Sequence, residues 1–357
     1  MPRTLLALTL AGFALAIAVW GLLTVRSFNH FDQVTSRFDG QCKSVAGIAG
    51  PEDIQIDFRT GFAFVSSFDR REALAKGAKT TDLRGAVHRF DLANPLDDRS
   101  WRDLTGGVPA RFQPLGLHLY RDENGARLFV VNAAQKSVEL YDVHTDGTLT
   151  HLEQFTERRL SSPNDVVAVG PRAFYVTNDN NATRGTVKSN INFLFRRGTG
   201  KVLYFNGISW HEAATNIQYA NGLAVNRAGD RLYVGETAGE SLIDYRRDRQ
   251  TGYLKLHRRI GVNAAVDNIN IDEEGQLWIG AHPRPLALLR HQRDQSALAP
   301  SSVFRFDEAT DSLSEIYADD GSVLSGSSSA ARLGSSLVIG ALFEEKFLIC
   351  RMQGNGV

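Results

Sequence analysis

The chain has 357 residues, 43% of them hydrophobic, with 10 prolines and 32 glycines, which excludes a disordered or fibrous polymer and leaves ample material for a sizeable core. Forty basic and forty acidic residues cancel, and no basic stripe interleaved with aromatics runs along the chain, so nucleic acid is not an expected partner. Repeats run from about residue 50 to the C-terminus without a linker-like break, which predicts one globular domain.

In chain order, the first predicted element is apolar. Thr4 to Val25 is 22 residues without a charge, flanked by Arg3 and Arg26. A secretory signal has an apolar region of about 7–15 residues, whereas a membrane span needs about 20. A signal anchor or transmembrane helix over residues 1–27 is therefore expected. A cleaved signal and a buried helix are the alternatives; Ala14-Leu15-Ala16 resembles a cleavage site, but the apolar run continues past it. One arginine on each side barely decides orientation. Residues 28–41 read as a linker and residues 42–357 as the folded domain.

Six segments of that domain are variants of one phrase: Phe62-Ala63-Phe64-Val65-Ser66, Leu128-Phe129-Val130-Val131-Asn132, Ala173-Phe174-Tyr175-Val176-Thr177, Leu232-Tyr233-Val234-Gly235-Glu236, Leu277-Trp278-Ile279-Gly280-Ala281 and Leu337-Val338-Ile339-Gly340-Ala341. Marked by Phe64, Phe129, Phe174, Tyr233, Trp278 and Val338, they recur at steps of 65, 45, 59, 45 and 60 residues. A multi-strand unit at such a period predicts an all-β, six-bladed β-propeller behind an N-terminal hydrophobic helix. The phrases are expected to be the inner strands. A second alternating run follows each, such as Ala86 to Asp91 and Ser302 to Asp307. Two excursions interrupt the pattern, Asn181 to Gly198 and Arg284 to Gln295. Both are expected as helices or loops over one mouth of the tunnel. Asn181-Ala182-Thr183 also fits a glycosylation sequon.

Polar turns precede the strands. Blade one opens with Gly50-Pro51-Glu52-Asp53-Ile54, blade three with Ser162-Pro163-Asn164-Asp165-Val166, blade four with Tyr219-Ala220-Asn221-Gly222-Leu223 and blade five with Val266-Asp267-Asn268-Ile269. A hard cation such as Ca²⁺ takes 6–8 oxygen ligands from carboxylates, carboxamides and carbonyls. Glu52, Asn164, Asn221, Asp267 and Asn268 would supply five, and two negative charges balance a divalent ion. The competing reading is that Asn and Asp make Asx turns here. Asp53 and Asp165, pointing away from their neighbours, would face a second, deeper ion or bond to backbone. No cysteine or histidine cluster has zinc spacing.

Cys42 lies just before the first blade and Cys350 in the last strand. The first and last segments of a closed propeller share a blade, so a bridge between them would lock the ring for roughly 4–5 kcal/mol in the chain-entropy model. It would place the domain in an oxidising compartment, periplasmic or extracellular. Two unrelated buried thiols remain the alternative.

Glu52-Asp53-Ile54, the stretch Asn164 to Pro171 with Phe174-Tyr175 and Thr177-Asn178-Asp179, then Asn221-Gly222, Val266-Asp267-Asn268-Ile269, Leu277-Trp278-Ile279-Gly280 and His282-Pro283 together resemble the serum paraoxonases, which are arylesterase and lactonase enzymes. The resemblance covers nearly everything after residue 41, both cysteines and the retained hydrophobic N-terminus. It implies a six-bladed propeller with two calcium ions. A catalytic ion would be held by Glu52, Asn164, Asn221, Asp267 and Asn268, and a structural ion by Asp53, Asp165 and the carbonyl of Leu117. Cys42 and Cys350 would form the family's ring-closing disulfide, and His282 would stand at the pocket wall. The family's histidine dyad falls on Leu115, in Pro114-Leu115-Gly116, and on Ala133, so that dyad is missing. His118 is three residues past Leu115 and should face the other way.

The expected function is therefore calcium-dependent hydrolysis of carboxylic esters or lactones, with Asp267, Glu52 or His282 as catalytic groups and the membrane as a partner through the N-terminal helix. Two other readings stand beside it: phosphotriesterase or strictosidine-synthase-like chemistry in the same pocket, and a non-catalytic calcium-stabilised propeller that binds a ligand or protein.

Overall fold

The computed structural model describes residues 3–77, 83–94, 102–104 and 109–353; the expected domain limit at residue 357 lies outside them. Six antiparallel sheets stand around one axis. Five have four strands and one has five. The innermost strands are Pro51–Asp57, Pro114–Asp122, Pro163–Ala168, Ala220–Val225, Ala265–Ile271 and Ser327–Leu333, and neighbouring ones touch around the axis.

The repeated apolar phrases form the second strands, Phe62–Ser67, Gly125–Asn132, Phe174–Asn178, Arg231–Glu236, Leu277–His282 and Ser336–Ala341, not the inner ones. The reason is physical. A second strand is covered on both faces by adjacent blades, so it reads as a near-continuous apolar run. The innermost strand starts beside a narrow polar tunnel and carries the Asn, Asp, Glu and Ser residues there. Blade interfaces hold the core, as where Phe129, Phe155, Phe174 and Phe205 pack together.

The N-terminal segment departs from the expected linker. Arg37–Phe38 adds a fifth strand to blade five, pairing with Ser312–Asp319. Gly40–Ala46 closes blade six by pairing with Lys346–Met352, and Cys42 stands directly opposite Cys350. The two cysteines are disulfide-bonded across 308 residues of sequence. Part of residues 28–41 is thus woven into two blades, and the first and last segments of the domain share blade six.

One end of the propeller carries the helices. Helix α1 is Arg3–Ser27, α2 is Arg70–Lys76, α3 is Val187–Leu194 and α4 is Pro285–His291. The last three lie between the second and third strands of blades one, three and five, whereas the same connection in blades two, four and six is a four-residue turn. That alternation explains the long steps of 65, 59 and 60 residues against the two of 45. Both expected excursions are therefore helical. Helix α1 contains Leu10–Ser27, 18 residues of mean hydropathy 1.7, none buried in the molecule. Its C-terminal end docks on α3: Trp20 stacks on Phe195 at 4.8 Å, Phe28 on Phe193 at 5.4 Å, and the Arg196 guanidinium lies 4.6 Å above Phe28.

Candidate metal centre and active site

In all six blades the pairing of the inner strand with the second strand slips by one residue near its start: between Pro51 and Ile54, Pro114 and Leu117, Pro163 and Val166, Ala220 and Leu223, Val266 and Ile269, Ser327 and Ala330. A bulge leaves an extra residue unpaired and re-aims its side chain. The polar pairs Glu52-Asp53, Asn164-Asp165, Asn221-Gly222 and Asp267-Asn268 occupy these bulges. They lie within the inner strands, not in turns ahead of them.

The five residues expected to bind a cation are all 1–6% exposed; Glu52 meets Asn268, Asn221 meets Asp267, and Asn164 stands on the inner strand that packs beside that of Asn221. Asn268 Nδ2 donates to Glu52 Oε1 at 3.1 Å and to the Glu52 carbonyl at 3.2 Å. Asn221 Nδ2 donates to Asp267 Oδ1 at 2.6 Å and to Thr237 Oγ1 at 3.1 Å. These donors fix the orientation of both amides, because a flipped amide would set oxygen against oxygen. Glu52 Oε2, Asn164 Oδ1, Asn221 Oδ1 and Asn268 Oδ1 are all buried with no hydrogen-bond partner. Four unpartnered oxygens from four blades are expensive unless something positive meets them. All are hard oxygen donors of the kind Ca²⁺ prefers. Among the described residues no group of three His, Cys, Asp or Glu could hold a metal ion; the ring consists of three carboxamides and two carboxylates.

Electrostatics agree. Burial pushes the Glu52 carboxyl up to about 8; Arg70 opposes this and Asp267 adds to it. Burial likewise raises Asp53 to about 7, against its two backbone N–H bonds. Asp165 rises well above the usual carboxylate range through burial and the nearby Asp53 charge. Asp53 accepts from Ile54 N at 2.8 Å and from Leu117 N at 2.9 Å in the next blade. Asp165 accepts from Val166 N at 2.7 Å and Leu223 N at 2.6 Å. Each therefore staples its blade to the following one. It is the Leu117 N–H that meets Asp53.

His282 is buried at the end of its strand, its Nε2 2.8 Å from Asp267 Oδ2 and its Nδ1 without a partner. Leu115 and Ala133 share one apolar cluster, packed with Phe129 and Val131. His118 turns away, as its register demands: its Nδ1 accepts from Ala168 N at 3.3 Å, between blades two and three, and burial pushes its pKa down to about 4.

Sequence reasoning missed two arginines. Arg70 opens α2 and reaches 3.9 Å from Glu52 Oε2. Burial lowers its pKa, Glu52 opposes that, and Arg184 repels it. Arg184, from the excursion before α3, pairs with Asp179 at 2.5 Å and donates to the Pro163 carbonyl at 3.2 Å. Burial works against its charge, but Asp179 and Tyr219 outweigh burial and hold its pKa above the usual value. Both arginines follow second strands, at the strand ends nearest the polar ring, and that placement was the available signal. A cleft of about 500 Å³ at the opposite end of blades two and three, lined by Tyr120, Arg127, Arg172 and neighbours, contains none of these residues.

The family model described as Arylesterase matches residues 31–352. The chain belongs to the arylesterase family. Its family relatives include human serum paraoxonase/arylesterase 1, 28% identical over 369 residues, covering 98% of this chain and 99% of the relative. Chicken serum paraoxonase/arylesterase 2 is 29% identical, covering 97% and 99%. Human serum paraoxonase/lactonase 3 is 28% identical, covering 85% and 86%. Two solved structures share the fold: a luciferin-regenerating enzyme, with TM-score 0.57, 12% identity and coverage of 89% and 96%, and regucalcin, a calcium-binding protein from Agrobacterium tumefaciens, with TM-score 0.52, 15% identity and coverage of 89% and 93%. Arylesterase relatives named for ester and lactone substrates place hydrolysis at the level of the family.

Proposed function

We propose that this protein is a calcium-dependent hydrolase of carboxylic esters and lactones. The observation that carries the reading is the set of four unpartnered oxygens, Glu52 Oε2, Asn164 Oδ1, Asn221 Oδ1 and Asn268 Oδ1, in the same ring as Asp267. These residues would hold the catalytic Ca²⁺. Asp53 and Asp165, with the Leu117 carbonyl, would hold a second, structural ion. When bound, the catalytic cation would polarise the ester carbonyl and neutralise the oxyanion formed on attack.

The chain supplies the proton chemistry. His282 Nε2 lies 2.8 Å from Asp267 Oδ2, and with that nitrogen as the donor His282 Nδ1 is the one left free to accept. That nitrogen takes the proton of the attacking water and returns it to the leaving oxygen. Asn221 donates to the other oxygen of Asp267 and helps hold that carboxylate against the histidine. The Asp267–His282 pair thus replaces the dyad whose positions Leu115 and Ala133 fill. Glu52 is held as a ligand by Asn268 rather than as a base. The apolar helix α1 would anchor the propeller to a membrane on its oxidising side, periplasmic or extracellular, where the Cys42–Cys350 bond persists.

Apolar side chains at Leu115 and Ala133 favour a second reading, a non-catalytic calcium-stabilised propeller. A panel of phenyl acetate, several lactones and a phosphotriester, each with and without chelator, separates the two. Ester or lactone turnover abolished by chelator and by Asn268→Ala supports the hydrolase. Inactivity on every substrate, with chelator lowering only thermal stability, supports the binding protein. Turnover of the phosphotriester alone would move the reaction class.

A further inference from the structure

Arg70 is held in place from several sides. Asp69 caps α2 by accepting from Glu72 N at 2.8 Å. Arg71, the next residue, is clamped between blades five and six: its Nη2 lies 2.7 Å from His291 Nε2, it donates to the Phe343 carbonyl, and its guanidinium lies 5.9 Å from the Phe343 ring centroid. Gly50, at φ +52°, leaves the space; a Cβ there would stand 2.8 Å from Arg70 Nη1. The guanidinium itself is loosely satisfied. Its hydrogen bonds to the carbonyls of Gly50, Phe68, Leu342 and Pro114 are 3.2, 3.3, 3.5 and 3.5 Å, at or beyond the long end for N–H···O bonds.

Glu52 is the nearest counter-charge of Arg70, at 3.9 Å, and a divalent cation bound in the ring would take that charge over. Glu52 and Asp267 together offset one divalent cation. Asp179 offsets Arg184. Asp69 is engaged by the helix terminus it caps. Arg70 then remains as a positive, nearly buried fork beside the ring, 3.9 Å from Glu52, with weak carbonyl partners that an anion would displace. A guanidinium fork matches a carboxylate in shape and charge.

We propose that Arg70 is an anion-recognition residue, and that the substrate carries a carboxylate close to its scissile carbonyl: a half-ester of a short dicarboxylic acid or a carboxylated lactone. This rests on the hydrolase reading for its chemistry but not for its binding test. The full chain, loaded with calcium, is assayed with the mono-4-nitrophenyl ester of glutaric acid and with 4-nitrophenyl pentanoate. Glutarate and pentanoate are compared as ligands by calorimetry.

Arg70→Gln is expected to lower the ratio of kcat/KM, anionic over neutral ester, by about 10-fold or more, through KM, and to lower glutarate affinity similarly. Arg70→Lys, which keeps the charge without the fork, recovers part of the ratio. Equal loss on both esters, with glutarate binding no tighter than pentanoate in the parent protein, makes Arg70 a cap on the carbonyls and overturns the proposal. If neither ester turns over yet glutarate binding depends on Arg70, the anion site stands and the hydrolase reading falls.

Discussion

Both hydrogen bonds of the Asn268 amide go to Glu52, 216 residues away in sequence, and its oxygen is left without a partner. Asn268→Ala removes the oxygen and releases Glu52 together. We expect calcium to raise the Tm of the parent protein by mass action, and this increment to shrink sharply in Asn268→Ala. An unchanged increment in a calcium titration by calorimetry would remove Asn268 from the ligand set. His282 separates binding from chemistry. His282→Gln should lower kcat by about 10²–10⁴-fold while the calcium-linked Tm increment persists; loss of the increment without a kinetic effect on metal-saturated enzyme would make His282 structural. His118 contributes to the pH dependence of stability in acid. Its folded pKa is about 4 against 6.5 for the free side chain, so the unfolded chain binds the extra proton first. The His118 contribution is full above pH 6.5 and is lost as pH drops toward 4, by up to roughly 3 kcal/mol. His118→Asn should flatten that part of the stability curve in urea titrations; an unaltered slope would assign it to other groups.

Within the inner strands, the bulge is the device that converts a period-two pattern into a site. It lets consecutive residues serve different partners: Glu52 and Asn268 in the ring, Asp53 and Asp165 on backbone N–H groups of the next blade. Small residues pay the steric price. A Cβ on Gly222 would stand 2.4 Å from the Asp267 carbonyl, and one on Gly116 2.0 Å from Asp165 Oδ1. Gly222→Ala must therefore push the blade-five strand aside, and we expect a loss of about 1–3 kcal/mol with weakened calcium binding; unchanged stability in denaturant would show that the blades slide freely there. The repeated phrases were legible as strands, and their period gave the blade number, because twice-covered strands must be apolar throughout. Their rank in the blade was misread, since two faces of cover look the same in sequence whether a strand is first or second.

Across the whole molecule, closure depends on Gly40–Ala46 pairing with Lys346–Met352. The disulfide restrains the unfolded chain across nearly its full length. Removing it through Cys42→Ala with Cys350→Ala should cost about 2–5 kcal/mol, read as a lower Tm with calcium still bound. A large loss of calcium affinity instead would mean that closure of blade six also shapes the ring. The helices gather on one face because the long connections belong to alternate blades, and α1 brings its apolar length to that same face by packing on α3.

Sequence alone determined the blade count and the meeting of the two cysteines. Each is a periodic or end-to-end property, and period survives in one dimension. Only the tertiary structure decided which oxygens lack partners, that His282 faces Asp267, that the dyad positions are sealed by Leu115 and Ala133 in one apolar cluster, and that Arg70 and Arg184 stand at the ring. Those facts arise where loops of different blades converge. Amide orientation, burial and charge balance are fixed by neighbours that no local pattern along the chain names.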